Sequence, residues 1–223
     1  MNAAVLSYRA ELGRKALHVG ALLMPLGLLA VGREIALWVF VPLAVVALVS
    51  DVLRTRSAAF HRFIQWVFGG IMRPEERPGL DGPIVFNGAT WMCTAMALTA
   101  LLFPEPIAAA AMAMLMLGDG AAALVGRRYG RHRWPGSPKS LEGSAAFAVS
   151  AALIVLPLAL LPLSWFALPG TPLDTVTVPG LSLGQVGIGA LIAAAVEALP
   201  IPLNDNVRVP LLAGAAMLLI GDV

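Results

Sequence analysis

Between Val19 and Ser50 the chain carries only two charged residues, Arg33 and Glu34, and that run decides the fold class. As a single helix rising ~1.5 Å per residue it would far exceed a hydrocarbon core ~30 Å thick. It therefore reads as two crossings that turn at Gly32, Arg33 and Glu34. Further apolar runs follow at Ala89 to Phe103, Ile107 to Val125, Gly143 to Leu163, Gly184 to Leu203, and Pro210 to the C-terminus. The expectation is an all-α, polytopic membrane protein of about seven transmembrane helices in a single domain. Composition agrees, since 13% of the 223 residues are charged and 59% are hydrophobic, whereas a water-exposed surface needs about a quarter charged. A cleaved signal peptide is the rival reading of the first run, because Ala30 and Gly32 resemble a cleavage site. The long, mixed-charge leader before it differs from the short basic start of such peptides.

The basic residues set the topology. Arg9, Arg14 and Lys15 precede the first span; Arg54, Arg56, Arg62, Arg73 and Arg77 follow the second. Arg127, Arg128, Arg131, Arg133 and Lys139 follow the fourth, and Arg208 follows the sixth. Only Arg33 falls on the other side, so the N-terminus and these three loops are assigned to the cytoplasm. In a bacterial cell the host bilayer would be the inner membrane. Between Ala58 and Met72, Phe60, Phe63, Ile64, Val67, Phe68 and Ile71 recur at helical spacing opposite His61, Arg62 and Gln65. This is a short helix, either lying in the cytoplasmic interface or packed on the bundle. The single cysteine, Cys93, excludes a disulfide framework, and His18, His61 and His132 form no zinc-hydrolase pair. Nucleic-acid binding is a poor fit, and the oligomeric state stays open.

Ionisable residues inside apolar spans are functional candidates. Asp119, flanked by Gly118 and Gly120, and Glu197 are two of them; the plainer reading pairs each with an arginine as structural glue. Gly118, Ala122, Gly126 and Gly130 recur every four residues, which leaves one helix face bare for another helix or for a phosphate chain. A basic run from Arg127 to Arg133 follows. Ser137 then reads as an N-cap, with Pro138 at the first helical position and Lys139 in the first turn. A helix start carrying a lysine favours an anion, although this is not a Walker P-loop. Glu142 beside that anion is most useful with a divalent cation between them and Asp119 as a second ligand.

After Glu197, Pro200, Pro202 and Pro210 are expected to break the helix, and broken backbone at this depth lines a cavity. Asn204, Asp205 and Asn206 offer oxygens to a metal, or hydrogen bonds to a base or ribose; an ordinary polar turn is the alternative. Near the N-terminus Arg14, Lys15 and His18 share nearly one helical face, suited to a phosphate or to lipid headgroups.

Asp119 with Ala122, Gly126, Gly130, Lys139, Ser140, Glu142 and Gly143, then Glu197 through Pro210, resembles the CTP-dependent lipid-alcohol kinases: the dolichol, phytol and CTP-using diacylglycerol kinases. Arg14, Lys15 and His18 look like that family's N-terminal motif. The likeness runs from about Arg14 to Pro210. One departure stands out: the family's second motif often has two adjacent acids before its asparagine, whereas here Asn204-Asp205-Asn206 offers one. The resemblance implies transfer of the γ-phosphoryl group of CTP to a membrane lipid alcohol, with Mg²⁺ or another divalent cation. On that reading Asp119 and Glu142 meet metal, with Glu197 and Asp205 as further candidates. Lys139, Arg127 and Arg128 meet the triphosphate, and Asp205 or Glu197 accepts the alcohol proton. Gly118, Gly120, Gly126, Gly130, Ser140, Gly143, Asn204 and Asn206, with Arg14, Lys15 and His18, complete the expected CTP-binding set. Two rivals are a CDP-lipid synthase, which attacks the α-phosphate of CTP, and a small ion-coupled transporter with Asp119 and Glu197 on its path.

Overall fold

The structure, a computed structural model, describes residues 17, 20–72 and 74–221. Among these it is all-helical: α1 (Leu23–Val31), α2 (Arg33–Arg56), α3 (Ala58–Phe68), α4 (Gly88–Leu102), α5 (Glu105–Tyr129), α6 (Leu141–Val155), α7 (Pro157–Leu160), α8 (Leu183–Ala198) and α9 (Asp205–Gly221). Short 3₁₀ turns lie at Pro74–Glu76 and Leu163–Trp165. The break expected near Gly32 is present. Gly32 has φ of 83°, and a Cβ there would stand 3.1 Å from the Pro172 ring, so glycine both turns the chain and admits the outer loop. Arg33 donates through its guanidinium to the carbonyl of Leu101, and its backbone N–H donates to Glu105 Oε1 at 3.3 Å. It stitches the end of α4 to the start of α5.

Two helices, α2 and α5, are long and apolar enough to cross a membrane. The others are shorter than the apolar runs suggested. The run from Gly143 to Leu163 is interrupted because Pro157 cannot donate to a continuing helix, so α6 stops at Val155. The run from Gly184 to Leu203 likewise stops at Ala198, ahead of Pro200 and Pro202. Pro210 corrects the sequence expectation in the other direction. It lies inside α9, buried, and the cost is confined to the N–H it cannot return to Asn206 in the helix's first turn. The amphipathic segment forms α3, capped by Ser57 and ending at Phe68 rather than Met72, and none of its residues is buried.

α5 is the axis of the bundle. Its face from Ile107 to Met116, with Gly118 and Ala122, is buried almost throughout, and α1, α4, α6, α8 and α9 pack around it. Small residues admit large ones: a Cβ at Gly118 would lie 2.5 Å from the Phe147 ring, one at Gly214 2.6 Å from Phe103, and one at Gly189 2.8 Å from the sulfur of Met217. The outer surface is strongly apolar, with Trp38 82% and Trp66 83% exposed. Gly118→Leu is therefore expected to lower stability by about 1 to 3 kcal/mol through overpacking against Phe147, while Gly120→Ala, whose Cβ meets open space, is neutral or stabilising. Thermal unfolding of the two variants in detergent checks this, and equal melting temperatures would refute the packing.

Candidate functional site

The loop between α5 and α6 folds back as a small hairpin. Trp134, Pro135, Gly136 and Ser137 form its turn, with Ser137 N–H donating to the Trp134 carbonyl at 3.1 Å and Gly136 at φ 71°; proline then glycine at the two centre positions suits a type II turn. Trp134 N–H pairs with the Lys139 carbonyl, Leu141 N–H with that of His132, and Arg133 bridges Ser140. The helix start predicted at Ser137 is thereby displaced. Ser140, not Ser137, is the N-cap of α6, its Oγ accepting the Gly143 N–H at 3.1 Å. Lys139 precedes the cap on extended chain, which lets its side chain reach away from α6.

It reaches the broken end of α8. Lys139 Nζ stands 2.5 Å from Glu197 Oε1 and 3.0 Å from Asp205 Oδ2, and also donates to the Glu197 carbonyl at 2.5 Å. That carbonyl is available because α8 ends there. Asp205 is held in turn by Arg208, whose Nε donates to Oδ1 at 2.8 Å and whose NH1 donates to the Ile201 carbonyl at 3.3 Å. Asn204 acts as the cap of α9, Oδ1 accepting the Asn206 N–H at 3.0 Å, and Asn206 Nδ2 donates to the Gly88 carbonyl at 3.1 Å. Asp119 lies close enough for its charge to be felt at Glu197, as does that of Asp205. Lys139 thus meets Glu197 and Asp205 from a distant stretch of chain, with Asp119 near enough for its charge to act on Glu197.

Other expected residues lie elsewhere. Glu142 faces the hairpin, with Oε1 2.7 Å from His132 Nδ1 and 3.2 Å from the His132 backbone N. Hydrogen bonds from its own backbone N–H, then from His132, hold its carboxyl down at about 2. The Glu142 carboxylate, expected beside Asp119 at a metal, here accepts from His132. The glycine stripe is filled by protein: Cβ atoms at Gly126 and Gly130 would stand 3.1 and 2.7 Å from Ser140 Oγ, and one at Gly143 3.1 Å from the Ala122 carbonyl. Arg127 and Arg128 are exposed at the end of α5, Arg127 donating to the Ala123 carbonyl and Arg128 lying over the Tyr129 ring. Arg14, Lys15 and His18 lie outside the described residues. Among the described residues no group of three or more histidine, cysteine, aspartate or glutamate side chains is arranged to hold a metal.

Beside Asp119 opens a cavity of about 570 Å³ between α2, α3, α4 and α5, lined also by Asn206 from α9. Its edge depends on residues that the sequence reading passed over. Asp51, fully buried, ion-pairs with Arg54 at 2.7 Å and accepts from Asn87 N–H at 2.9 Å, Asn87 Nδ2 at 2.8 Å and Thr90 Oγ1 at 2.5 Å. Asn87 caps α4 through Ala89 and Thr90, while Arg54 donates to the carbonyls of Glu76 and Val85 at 2.6 Å each. The second span was closed at Ser50, one residue short of Asp51. Extending it through the helix would have exposed Asp51 to the same rule that singled out Asp119. Arg208 was counted for topology only, although its three-residue spacing from Asp205 signals a pair.

Known proteins align with much of the chain. It is 34% identical over 145 residues to an uncharacterized protein, RP860, of Rickettsia prowazekii, covering 65% of this chain and 68% of that one. It is 32% identical over 148 residues to a probable chloroplastic phytol kinase 1 of Glycine max, covering 64% of this chain and 46% of the relative. It is 31% identical over 145 residues to CTP-dependent diacylglycerol kinase 1 of Schizosaccharomyces pombe, covering 62% of each. The chain thus spans about half to two thirds of the length of these named kinases. No family profile matches the chain, and no solved structure does.

Removing one partner of a buried ion pair typically costs about 3 to 5 kcal/mol. Arg54→Ala is expected to fall in that range by leaving Asp51 charged and unpaired, and to free the chain between Glu76 and Val85 to proteolysis. Parent-like melting and cleavage would show that the pair does not hold this edge.

Proposed function

The chain belongs to the CTP-dependent lipid kinase family, and from that premise we propose that it transfers the γ-phosphoryl group of CTP to the hydroxyl of a membrane lipid alcohol, giving the lipid monophosphate and CDP. The observation that carries the reading is the nearness of two unlike places: a charged cluster around Lys139, and a cavity lined by Asp119 and by Asn206, the neighbour of Asp205. Phosphoryl transfer asks the protein mainly for positioning and charge neutralisation. Lys139 supplies the cation for the phosphates, and Glu197 with Asp205 orients it.

Mg²⁺ is commonly held by one or two carboxylates together with substrate phosphates. Asp119, Glu142 and Asp205 each offer hard oxygen of that kind, Asp205 already accepting from Lys139 and Arg208 and Glu142 from His132. When bound, the ion would neutralise charge on the transferring phosphoryl group. The alcohol oxygen bonds to the γ-phosphorus as the β–γ bridging bond breaks, and its proton passes to a carboxylate. Sequence reasoning gave this last role to Asp205 or Glu197. Both engage Lys139, whereas Asp119 borders the cavity, so we assign the proton to Asp119.

The seven-span topology, with the N-terminus and the Lys139 hairpin in the cytoplasm, belongs to this proposal. It puts the cluster on the side where CTP is available and leaves Arg33 outside. α4, α6 and α8 are then short for a full crossing at ~1.5 Å per residue, and tilt, snorkelling or local thinning of the bilayer accommodates them.

The decisive assay supplies purified protein with Mg²⁺, lipid alcohols and CTP labelled at either the α or the γ position. γ-Label in the lipid with CDP released is expected. α-Label in the lipid with pyrophosphate would establish a CDP-lipid synthase, and no transfer from any donor would favour a transporter. Lys139→Ala is expected to lose on the order of 100- to 1,000-fold in kcat, the scale of losing one electrostatic stabiliser. Lys139→Arg preserves the charge that neutralises Glu197 and serves as the folding control. Near-parental turnover in Lys139→Ala would remove this lysine from the mechanism.

A further inference from the structure

Resting on the kinase reading, we propose that the lipid alcohol reaches Asp119 sideways from the bilayer, through an opening between α2 and α3, with α3 as the lipid-facing wall of that opening. α2 and α3 join at Ser57, and Val46 on one arm and Phe68 on the other lie equally far along the chain from that joint. Both line the cavity that Asp119 also lines, and both are exposed, at 60% and 46%. A side chain that lines a cavity and also meets the outside marks its rim.

What lies outside the rim is apolar. On α2, Trp38, Val45 and Val49 follow one another at helical spacing and are exposed. Val46 stands about 100° around the helix from Val45, so the outer face of α2 runs directly into the face that lines the cavity through Leu43, Ala47 and Ser50. α3 repeats the arrangement. It packs chiefly on α2 and buries none of its own residues; Ile64 and Phe68 line the cavity while Phe63 and Trp66 are exposed. An amphipathic helix with bulky apolar groups left uncovered is the form that settles into a lipid interface. A lipid taking this route keeps its hydrocarbon against apolar surface, whereas a route through water would expose the whole chain, at a cost proportional to its area.

The polar lining does not bar the way. Asp51, Arg54, Asn87 and Thr90 bond to one another or to nearby backbone, and Glu76 accepts the Gly88 N–H at 3.2 Å. Polar groups already satisfied by protein need no partner from the entering lipid, so the route serves alcohols of one chain or two alike.

The test uses the full chain in phosphatidylcholine vesicles with a long-chain primary alcohol that carries a diazirine on its chain, without nucleotide. Irradiation is expected to attach the probe at Val46 and Phe68, and excess unlabelled alcohol to abolish that labelling, while attachment at Trp38 on the outer face persists. In a second arm, Val46→Trp is expected to raise KM for the alcohol about tenfold, the scale of a steric change in an apolar pocket, with KM for CTP unchanged. Val45→Trp, which adds the same bulk to the outer face, leaves both unchanged.

Competed labelling that avoids Val46 and Phe68, or a KM for the alcohol that Val46→Trp raises no more than Val45→Trp does, would overturn the side opening while leaving the kinase intact. Competed labelling at Val46 and Phe68 with no phosphoryl transfer from CTP to any alcohol would uphold the opening and sink the kinase reading instead.

Discussion

The site is organised by one ammonium group. Lys139 Nζ meets the carboxylate and the terminal carbonyl of Glu197 and the carboxylate of Asp205, and by doing so ties the hairpin after α5 to the end of α8 and the start of α9. Glu197 is 5% exposed, where an uncompensated charge costs several kcal/mol. The lysine is therefore needed for the fold as well as available to an anion. Breaking α8 at Ala198 is what allows the backbone to join in, because a continuing helix would have used the Glu197 carbonyl for its own hydrogen bond. Pro200 and Pro202 enforce that break.

Much of this organisation is legible in the sequence, and the illegible part has a physical pattern. The turn at Gly32, the apolar run from Ala89, the break after Glu197 and the candidacy of Asp119, Lys139, Glu197 and Asp205 all follow from local rules about apolar runs, proline and buried charge. Which carboxylates meet does not follow, because a lysine and its partners 58 and 66 residues away are joined by tertiary packing alone. The glycine stripe illustrates the same limit. Spacing shows that a close approach occurs at Gly118, Gly126 and Gly130, but an approaching helix and an approaching phosphate require the same bare backbone. The structure fills the space with Ser140, Gly143 and Phe147. Likewise Ser137 and Ser140 are both acceptable caps, and the hairpin bonds of Trp134 and His132 select the later one.

Asp51 and Arg54 show how a site is held from outside. Asp51 is saturated by Arg54, Asn87 and Thr90, which joins the C-terminal end of α2 to the start of α4, and Arg54 fastens the intervening chain at Glu76 and Val85. Neither group need touch a reactant to matter. Asn206 bonds to the Gly88 carbonyl next to this network, so the position of α9, and with it Asp205, is referred to the same anchor. A change in the pair would be transmitted to both ends of the cavity.

The adjacency of Asp205 and Asn206 joins the charged cluster to the cavity. At the start of a helix, neighbouring residues point about 100° apart, so Asp205 faces Lys139 and Arg208 while Asn206 turns to Gly88 and the cavity. A nucleotide phosphate and a lipid hydroxyl differ by tens of kcal/mol in their tolerance for hydrocarbon, yet transfer requires their reacting atoms ~3 to 3.5 Å apart. On the proposed reading, a single helix turn that shows one residue to each side would meet both demands. Asp119, on the central helix, lines the cavity and acts through its charge on Glu197.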